Sequence, residues 1–334
     1  MKWITSVLIV LLATNKAFSE KMEGDVVNVL NEKPVFTVDF EARSLSFKVV
    51  INGVSLFDEY YHGGSMALTL PANHYFHPEN NQVGFMVAPL DESGRFNAGA
   101  LLKVSLNVHP QGEQESKITI LSMTFKSDSD AEQGYTLEHS ESGGYHFNNG
   151  RLIAGGEDVT VSDPIVEAEG SYEGAKVIYR NVNAPNSLPL WAFFNSDVLP
   201  DYYAASDEDY YAARDSLLEA HKVIHRGIES NDIDSIIHLF DERNRETDQA
   251  FYFEKGTTEA GIRGDLERAA SNESLTLVPL VPDHVGVVQE LNRKIVSLDR
   301  ENFAPAIMLL RDEGGAAVYA LHFRREGGEW ILTR

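Results

Sequence analysis

The sequence contains no cysteine. A chain without cysteine forms no disulfide, offers no thiol nucleophile and has no cysteine for lipid attachment. Its folded parts must therefore be stabilised by core packing alone. About 43% of its residues are hydrophobic, which is typical of a globular protein.

Basic residues are also scarce. The chain has 28 Lys and Arg against 51 Asp and Glu, which gives a net charge of −23 at pH 7. A charge of this sign repels nucleic-acid phosphates and anionic lipid surfaces, so neither is predicted as a partner. The charge favours a basic protein partner, or only solubility in a salty medium.

Long hydrophobic runs are absent. The longest, residues 3–13, is shorter than the roughly 20 residues that cross a bilayer. It follows the basic Lys2, and Ala17 and Ser19 provide the small residues of a cleavage site. Residues 1–19 are therefore predicted to be an export signal cleaved after Ser19, which implies a periplasmic or secreted protein without membrane insertion.

Residues 25–180 follow a period of two, broken by turn residues. Apolar and polar side chains alternate over residues 45–51, Asn52 and Gly53 supply the two positive-φ positions of a tight turn, and residues 54–57 are again mostly apolar. Short alternating segments without a helical period predict an all-β antiparallel sandwich.

A wider pattern covers residues 50–87. A strand ending in Asn-Gly is followed by a short strand, a proline-led segment at 71–73 and the turn Asn80-Asn81 before another strand. This pattern resembles the jelly-roll and immunoglobulin-like modules of exported proteins. The resemblance implies a sandwich and does not imply a ligand.

Residues 181–206 interrupt this rhythm with several prolines and are predicted to be a connector. Aromatic side chains cluster within it: Trp191, Phe193, Phe194, Tyr202 and Tyr203. Aromatic residues in a short linker indicate that it is packed against a domain; the alternative is an exposed binding patch.

Residues 207–334 begin with a period of 3.6. The pattern predicts a helix from Asp207, which could cap it, to about residue 228, a second helix over 233–240 and a third over 259–270. Five strands are then predicted, at residues 275–281, 285–298, 306–311, 316–325 and 330–333. Gly-Gly turns at 314–315 and 327–328 predict that the last three form a meander.

The helix-break-helix opening at residues 228–240 and the closing segment at 323–332 resemble those of the NTF2-like (cystatin-like α+β cone) superfamily. The resemblance implies that the helices pack on the concave face of a curved sheet and leave a cone-shaped cavity. In different members this cavity is a catalytic pocket, a ligand pocket or an interaction surface. The predicted fold is therefore mixed, a β-sandwich followed by an α+β cone.

For a pocket in this cone, the candidates for proton transfer are Asp248, Asp265 and His322, because some family enzymes pair an Asp with a His or Tyr. Tyr319 and Trp330 are candidates to bind a ligand there. Strand alternation, however, places His322 on the face opposite the bulkier apolar side chains, which argues against a catalytic pair.

Two patterns suggest metal ligands. An acidic loop contains Asp128, Asp130 and Glu132 at alternate positions. An EF-hand needs Gly and Glu at its sixth and twelfth positions, which here are Gln133 and His139, so a solvated acidic turn is favoured over a calcium site of the sandwich type.

His221 and His225 have the i, i+4 spacing of a metal-binding pair, but Lys222 stands where a zincin has glutamate, which favours helix packing.

The chain has no serine nucleophile elbow, phosphate-binding glycine loop or cysteine–histidine pair. No cofactor is predicted.

Two functions from different classes follow. The first is an exported, non-catalytic binding protein, such as a periplasmic immunity protein that neutralises a toxin. The second is an NTF2-like enzyme or small-molecule binder that uses the cone pocket, with the sandwich as an accessory binding module. An inward-facing ionisable pair in a closed cavity would favour the second.

Overall fold

A computed structural model describes residues 33–61, 64–90, 94–141, 143–148, 151–168, 174–184, 186–301 and 303–334. The predicted export signal at 1–19 lies outside these residues. In their first half they form antiparallel sheets, and in their second half helices followed by further antiparallel sheets. The prediction of a mixed fold, with antiparallel sheets first and helices and sheets after them, is confirmed.

The N-terminal region is all-β. Its strands are β1 (Pro34–Arg43), β2 (Leu45–Ile51), β3 (Val54–Tyr61), β4 (Met66–Pro71), β5 (Asn80–Ala88), β6 (Leu101–Pro110), β7 (Ile118–Ser127), β8 (Tyr135–Glu141), β9 (Tyr145–Asn148), β10 (Arg151–Ala154), β11 (Thr160–Val161), β12 (Ile165–Ala168) and β13 (Lys176–Asn183). One sheet has the order β4-β1-β6-β7-β8, and the other β11-β13-β5-β2-β3 with β12 also on β13. β9 and β10 pair as a separate hairpin.

These two sheets share one hydrophobic core. Alternate residues of β1, such as Phe36 and Val38, are fully buried, as the period of two requires. Phe40 of β1 contacts Phe47 of β2 across the core, with ring centroids 5.5 Å apart. The predicted hairpin of β2 and β3 is confirmed.

The C-terminal region contains three α-helices and seven strands among the described residues. They are α1 (Asp207–Glu229), α2 (Asp241–Ala250), α3 (Thr257–Ser271), β14 (Leu275–Leu277), β15 (Val285–Gln289), β16 (Ile295–Arg300), β17 (Ile307–Arg311), β18 (Ala316–Tyr319), β19 (Phe323–Glu326) and β20 (Glu329–Leu332). The strands form two sheets, β14-β17-β18 and β15-β16-β19-β20. A second hydrophobic core contains Leu217, Ile224 and Ile228 of α1 together with Val287 and Leu298 of the second sheet.

Within the described residues, none of the helices combines the length and the apolar character needed to cross a bilayer.

The structure corrects the helical predictions in two places. The cap of α1 is Ser206, whose hydroxyl accepts the Asp209 N–H at 3.2 Å, and not Asp207. The predicted second helix is replaced by two 3-10 turns, Ile233–Ser235 and Ile237–Phe240; the Asp232 side chain caps the start of the first by accepting the Ser235 N–H. The α-helix begins only at Asp241.

The strand predictions also change. The strand predicted at 285–298 is two strands, joined by a turn in which Arg293 has a positive φ of 53°. The predicted meander is wrong, because the chain leaves one sheet after Tyr319 and enters the other at Phe323. Between them, the backbone of His322 bonds to that of Thr333 and Arg334.

Two helical glycines provide a test of the packing of the helices. A Cβ at Gly227 of α1 would lie 2.5 Å from Ile236, so Gly227→Ala overpacks the core and should cost about 1–3 kcal/mol. A Cβ added at Gly261 of α3 would meet no heavy atom of another part of the protein within 4 Å. Gly261→Ala should therefore stabilise the fold by up to about 1 kcal/mol through helix propensity. Urea unfolding measures both changes, and equal effects would contradict this packing.

Candidate functional site

The two regions meet at Asn73, which is fully buried after β4. Its Oδ1 accepts the Phe36 N–H at 2.6 Å, and its Nδ2 donates to the carbonyls of Pro34 at 2.9 Å and Ala250 at 2.7 Å. Its own carbonyl accepts the indole N–H of Trp191 at 3.0 Å. One amide side chain therefore joins β1 to the end of α2, and its backbone holds the connector.

A buried ion pair lies beside it. Arg334 Nη1 donates to Glu246 Oε2 at 2.6 Å, and each side chain is only 5% exposed. The other Glu246 oxygen accepts the Ala192 N–H at 2.7 Å, and Arg334 Nη2 donates to the His74 carbonyl at 2.6 Å. The Arg334 guanidinium also lies 4.9 Å from the centroid of the Phe193 ring. Sequence reasoning missed both charged residues, because no local motif marks them.

Three aromatic residues of the connector, Trp191, Phe193 and Phe194, are packing residues at this boundary. Trp191 and Phe193 are 1% and 0% exposed and belong to the N-terminal core, so a partner cannot reach them. Phe194 is half-buried, stacks on Phe193 with centroids 4.2 Å apart, and its carbonyl accepts a hydrogen bond from Lys294. The connector is thus packed against the N-terminal region and is bonded to the C-terminal one.

The structure does not join the predicted catalytic residues by hydrogen bonds. Asp248 is buried, and its oxygens accept the Gly256 N–H at 2.7 Å and the Thr258 N–H at 2.8 Å, which fixes the start of α3. Asp265 pairs with Arg268. Among the described residues, neither carboxylate bonds to His322, whose Nδ1 has no partner. Burial lowers the pKa of His322.

Tyr319 and Trp330 tie helices to the sheets. The Tyr319 hydroxyl donates to the Asp265 carbonyl at 3.3 Å, and burial together with the Asp265 charge raises its pKa to about 12. The indole N–H of Trp330 donates to Ser216 Oγ of α1 at 3.0 Å, and both aromatic side chains are half-buried.

The histidines of α1 bond to backbone carbonyls. The ring of His221 bonds to the Leu217 carbonyl at 3.0 Å, and that of His225 bonds to the Val278 carbonyl at 3.1 Å. Burial lowers the pKa of His221 to about 4. Both rings therefore serve packing.

In the acidic loop, Asp128 Oδ1 accepts the Asp130 N–H at 2.9 Å, and Glu132 is exposed. No group of three or more His, Asp or Glu that could hold a metal occurs in the part of the chain that the structure describes.

Residues 197–211, which include the end of the predicted connector and the start of α1, expose apolar side chains among carboxylates. We call this segment the acidic strip. Val198, Tyr203 and Tyr211 are 58%, 60% and 49% exposed. The exposed carboxylates of the acidic strip are Asp197, Asp201, Asp207, Glu208 and Asp209. The signal available in the sequence was this combination of acids and tyrosines at the start of α1.

Two tyrosines hold the acidic strip against β15, an edge strand. The Tyr203 hydroxyl accepts the Gln289 N–H at 3.0 Å, and the Tyr210 hydroxyl accepts the Val287 N–H at 3.1 Å. These bonds occupy edge donors that would otherwise be available to another strand. The acidic strip is therefore fixed in place and covers the edge of the sheet.

Two surface depressions have volumes of about 270 and 290 Å³. The first lies between Lys222, Arg226 and Leu280, and the second between Asn231 and Ser271. Both are open to solvent.

The chain matches no protein-family model, and searches of curated proteins and of solved structures give no significant match.

Asp299, a carboxylate at the boundary between the N-terminal and C-terminal regions, has a raised pKa. Asp299 of β16 lies in the field of Asp58 of β3 and of Glu290, with Lys48 as the opposing charge. Burial, followed by the charge of Asp58, raises its pKa to about 7. The hydrogen bond from Ser297 lowers it by less.

Removing one member of the buried ion pair should be costly. Glu246→Gln leaves the Arg334 charge buried without a counter-charge, which should destabilise the fold by about 3–5 kcal/mol. The control is Glu326→Gln, since Glu326 pairs with Arg324 but is 62% exposed and should cost less than about 1 kcal/mol. Chemical denaturation measures both, and a small loss for Glu246→Gln would contradict the role of the pair.

The raised pKa of Asp299 predicts how the free energy of unfolding changes with pH. Because its folded pKa is above that of an unfolded aspartate, the folded state binds this proton more tightly and loses stability as the pH rises from about 4 to about 7. Asp299→Asn should therefore stabilise the protein above pH 7 and have little effect below pH 4. Unfolding curves between these values test it; a constant difference between variant and wild type would refute it.

Proposed function

We propose that this chain is an exported, non-catalytic binding protein whose acidic strip contacts a basic, amphipathic protein partner. The observation that carries the proposal is the exposure of Val198, Tyr203 and Tyr211 among five carboxylates. Aromatic anchors surrounded by a polar rim are typical of protein interfaces. The net charge of −23 would attract such a partner over distance.

The contacts of the ionisable residues support binding over catalysis. The oxygens of Asp248 are occupied by backbone donors of α3, and Asp265 is paired with Arg268. A general base must have a lone pair within reach of a substrate proton. Carboxylates already occupied by structural bonds are poor candidates for that role.

A periplasmic immunity protein is the specific form of the proposal, since such a protein neutralises a toxin by covering part of its surface. We further propose that residues 207–334 form an NTF2-like cone. The order of three helices before seven strands supports it, as does the packing of α1 on β15 and β16.

The proposal predicts charge-dependent association. The partner is first captured from an extract of the source organism at low and high salt, and its association rate is then measured. The rate should fall as salt shortens the Debye length from roughly 10 Å at 0.1 M to about 3 Å at 1 M. Val198→Asp should weaken binding through loss of apolar contact, and Glu208→Lys should slow association.

The matched control is Glu157→Lys, which reverses an exposed carboxylate of the N-terminal region and should leave association nearly unchanged. Equal effects of Glu157→Lys and Glu208→Lys would place the interface elsewhere. A small molecule that copurifies with the C-terminal region, in the absence of a protein partner, would replace this proposal with the cone-pocket function.

A further inference from the structure

Phe303 is the most exposed large hydrophobic side chain among the described residues, at 84%. It lies in the turn between β16 and β17, and its backbone has a positive φ of 61°. A bulky side chain rarely adopts this left-handed conformation, because its Cβ crowds the backbone. The ring thus adds almost no packing to the fold and occupies a strained position, which points to a role in binding.

Hydrogen bonds hold this turn in place. The Arg300 N–H donates to the Ala304 carbonyl at 2.7 Å, and the Phe303 N–H donates to the Arg300 carbonyl at 2.8 Å. The Arg300 guanidinium donates to the Ala306 carbonyl at 2.7 Å and to the Val278 carbonyl at 3.2 Å. The ring is therefore presented on a fixed turn, which loses little conformational entropy when a partner buries it.

The same guanidinium joins this turn to the first surface depression. Arg300 Nη2 also donates to the carbonyl of Pro279 at 3.3 Å, and Pro279 lines the depression of about 270 Å³. The depression has an apolar wall and a charged rim, whose residues are Leu277, Pro279 and Leu280, and Lys222, Arg226 and Glu229. An exposed aromatic ring and an open depression with an apolar wall therefore adjoin each other.

The turn and the depression also offer opposite charges. Glu301, two residues before Phe303, is exposed to solvent. At the rim of the depression, Lys222 pairs with Glu219 at 2.7 Å, whereas Arg226 is exposed and has no ion-pair partner within the part of the chain that the structure describes. Arg226 is thus available to a carboxylate of another molecule.

We propose that two copies of this chain form a symmetric dimer in which Phe303 of each copy enters the depression of the other. Glu301 then faces the partner's Arg226. A two-fold axis pairs a surface with itself, so a projecting ring and an adjoining depression are both satisfied in each copy. The depression lies at residues 222–229 of α1, whereas the acidic strip ends at residue 211, so this interface leaves the acidic strip free.

The expected dimer is weak. Two phenylalanine rings bury only roughly 300–500 Å², so the interface is small and the expected Kd is on the order of 10–100 µM. The net charge of −23 opposes association at long range. At 0.15 M salt this repulsion is screened beyond about 8 Å, whereas contacts within the interface are retained.

The test is sedimentation equilibrium of the full chain in 0.15 M salt, from about 1 µM to about 500 µM. The wild type should show a monomer–dimer equilibrium. Phe303→Asn should weaken the dimer at least about tenfold, because the anchoring ring is lost. Asparagine tolerates a positive φ, so this variant should keep or raise the Tm, which separates loss of association from misfolding.

Charge reversal tests the pairing. Glu301→Arg and Arg226→Glu should each weaken the dimer by bringing like charges together, and the double variant should restore it. The matched control is Leu291→Asn, which removes a 40% exposed apolar side chain from the turn between β15 and β16 and should leave the dimer unchanged.

A wild type that stays monomeric at every concentration would overturn the proposal. A dimer that Phe303→Asn and both single reversals leave intact would do the same, as would equal weakening by Leu291→Asn and Phe303→Asn.

Discussion

The structure depends on the buried ion pair between Arg334 and Glu246. Two charges removed from water cost more free energy than their attraction returns unless every remaining donor and acceptor is bonded. Here the bonds come from Ala192 in the connector and from the carbonyl of His74 in the N-terminal region. These bonds form only when connector, sandwich and α2 meet in one arrangement. Because the chain has no cysteine, no disulfide can join the two regions, and this junction joins them through an ion pair and hydrogen bonds.

Asn73 adds further bonds to this junction: its side chain donates to the Ala250 carbonyl, and its own carbonyl accepts the Trp191 indole N–H. These bonds fix the connector in place. Trp191 and Phe193 enter the N-terminal core, whereas Leu199 and Tyr202 enter the C-terminal one. The acidic strip begins between these anchors and is held further by its tyrosines on β15. A surface fixed before association loses less conformational entropy on binding. Rigidity at the junction is thus the link between the fold and the proposed binding function.

Much of the fold could be predicted from local patterns. The β2–β3 hairpin follows from alternation and from Asn52-Gly53, and α1 and α3 follow from their period. The predictions of the second helix and of the closing meander were wrong because both depend on tertiary contacts. Ile236, between the two 3-10 turns, packs against Gly227 of α1, and His322 bonds to Thr333 instead of continuing a strand. The junction itself could not be predicted, because Arg334 and Glu246 lie 88 residues apart and neither belongs to a motif.

The most direct test of the central claim is differential scanning calorimetry of the full chain. If the junction joins the two regions, they should unfold together in one transition whose calorimetric and van't Hoff enthalpies agree. Glu246→Gln should separate that transition into two. Two well-resolved transitions in the wild type, unchanged by Glu246→Gln, would contradict the account.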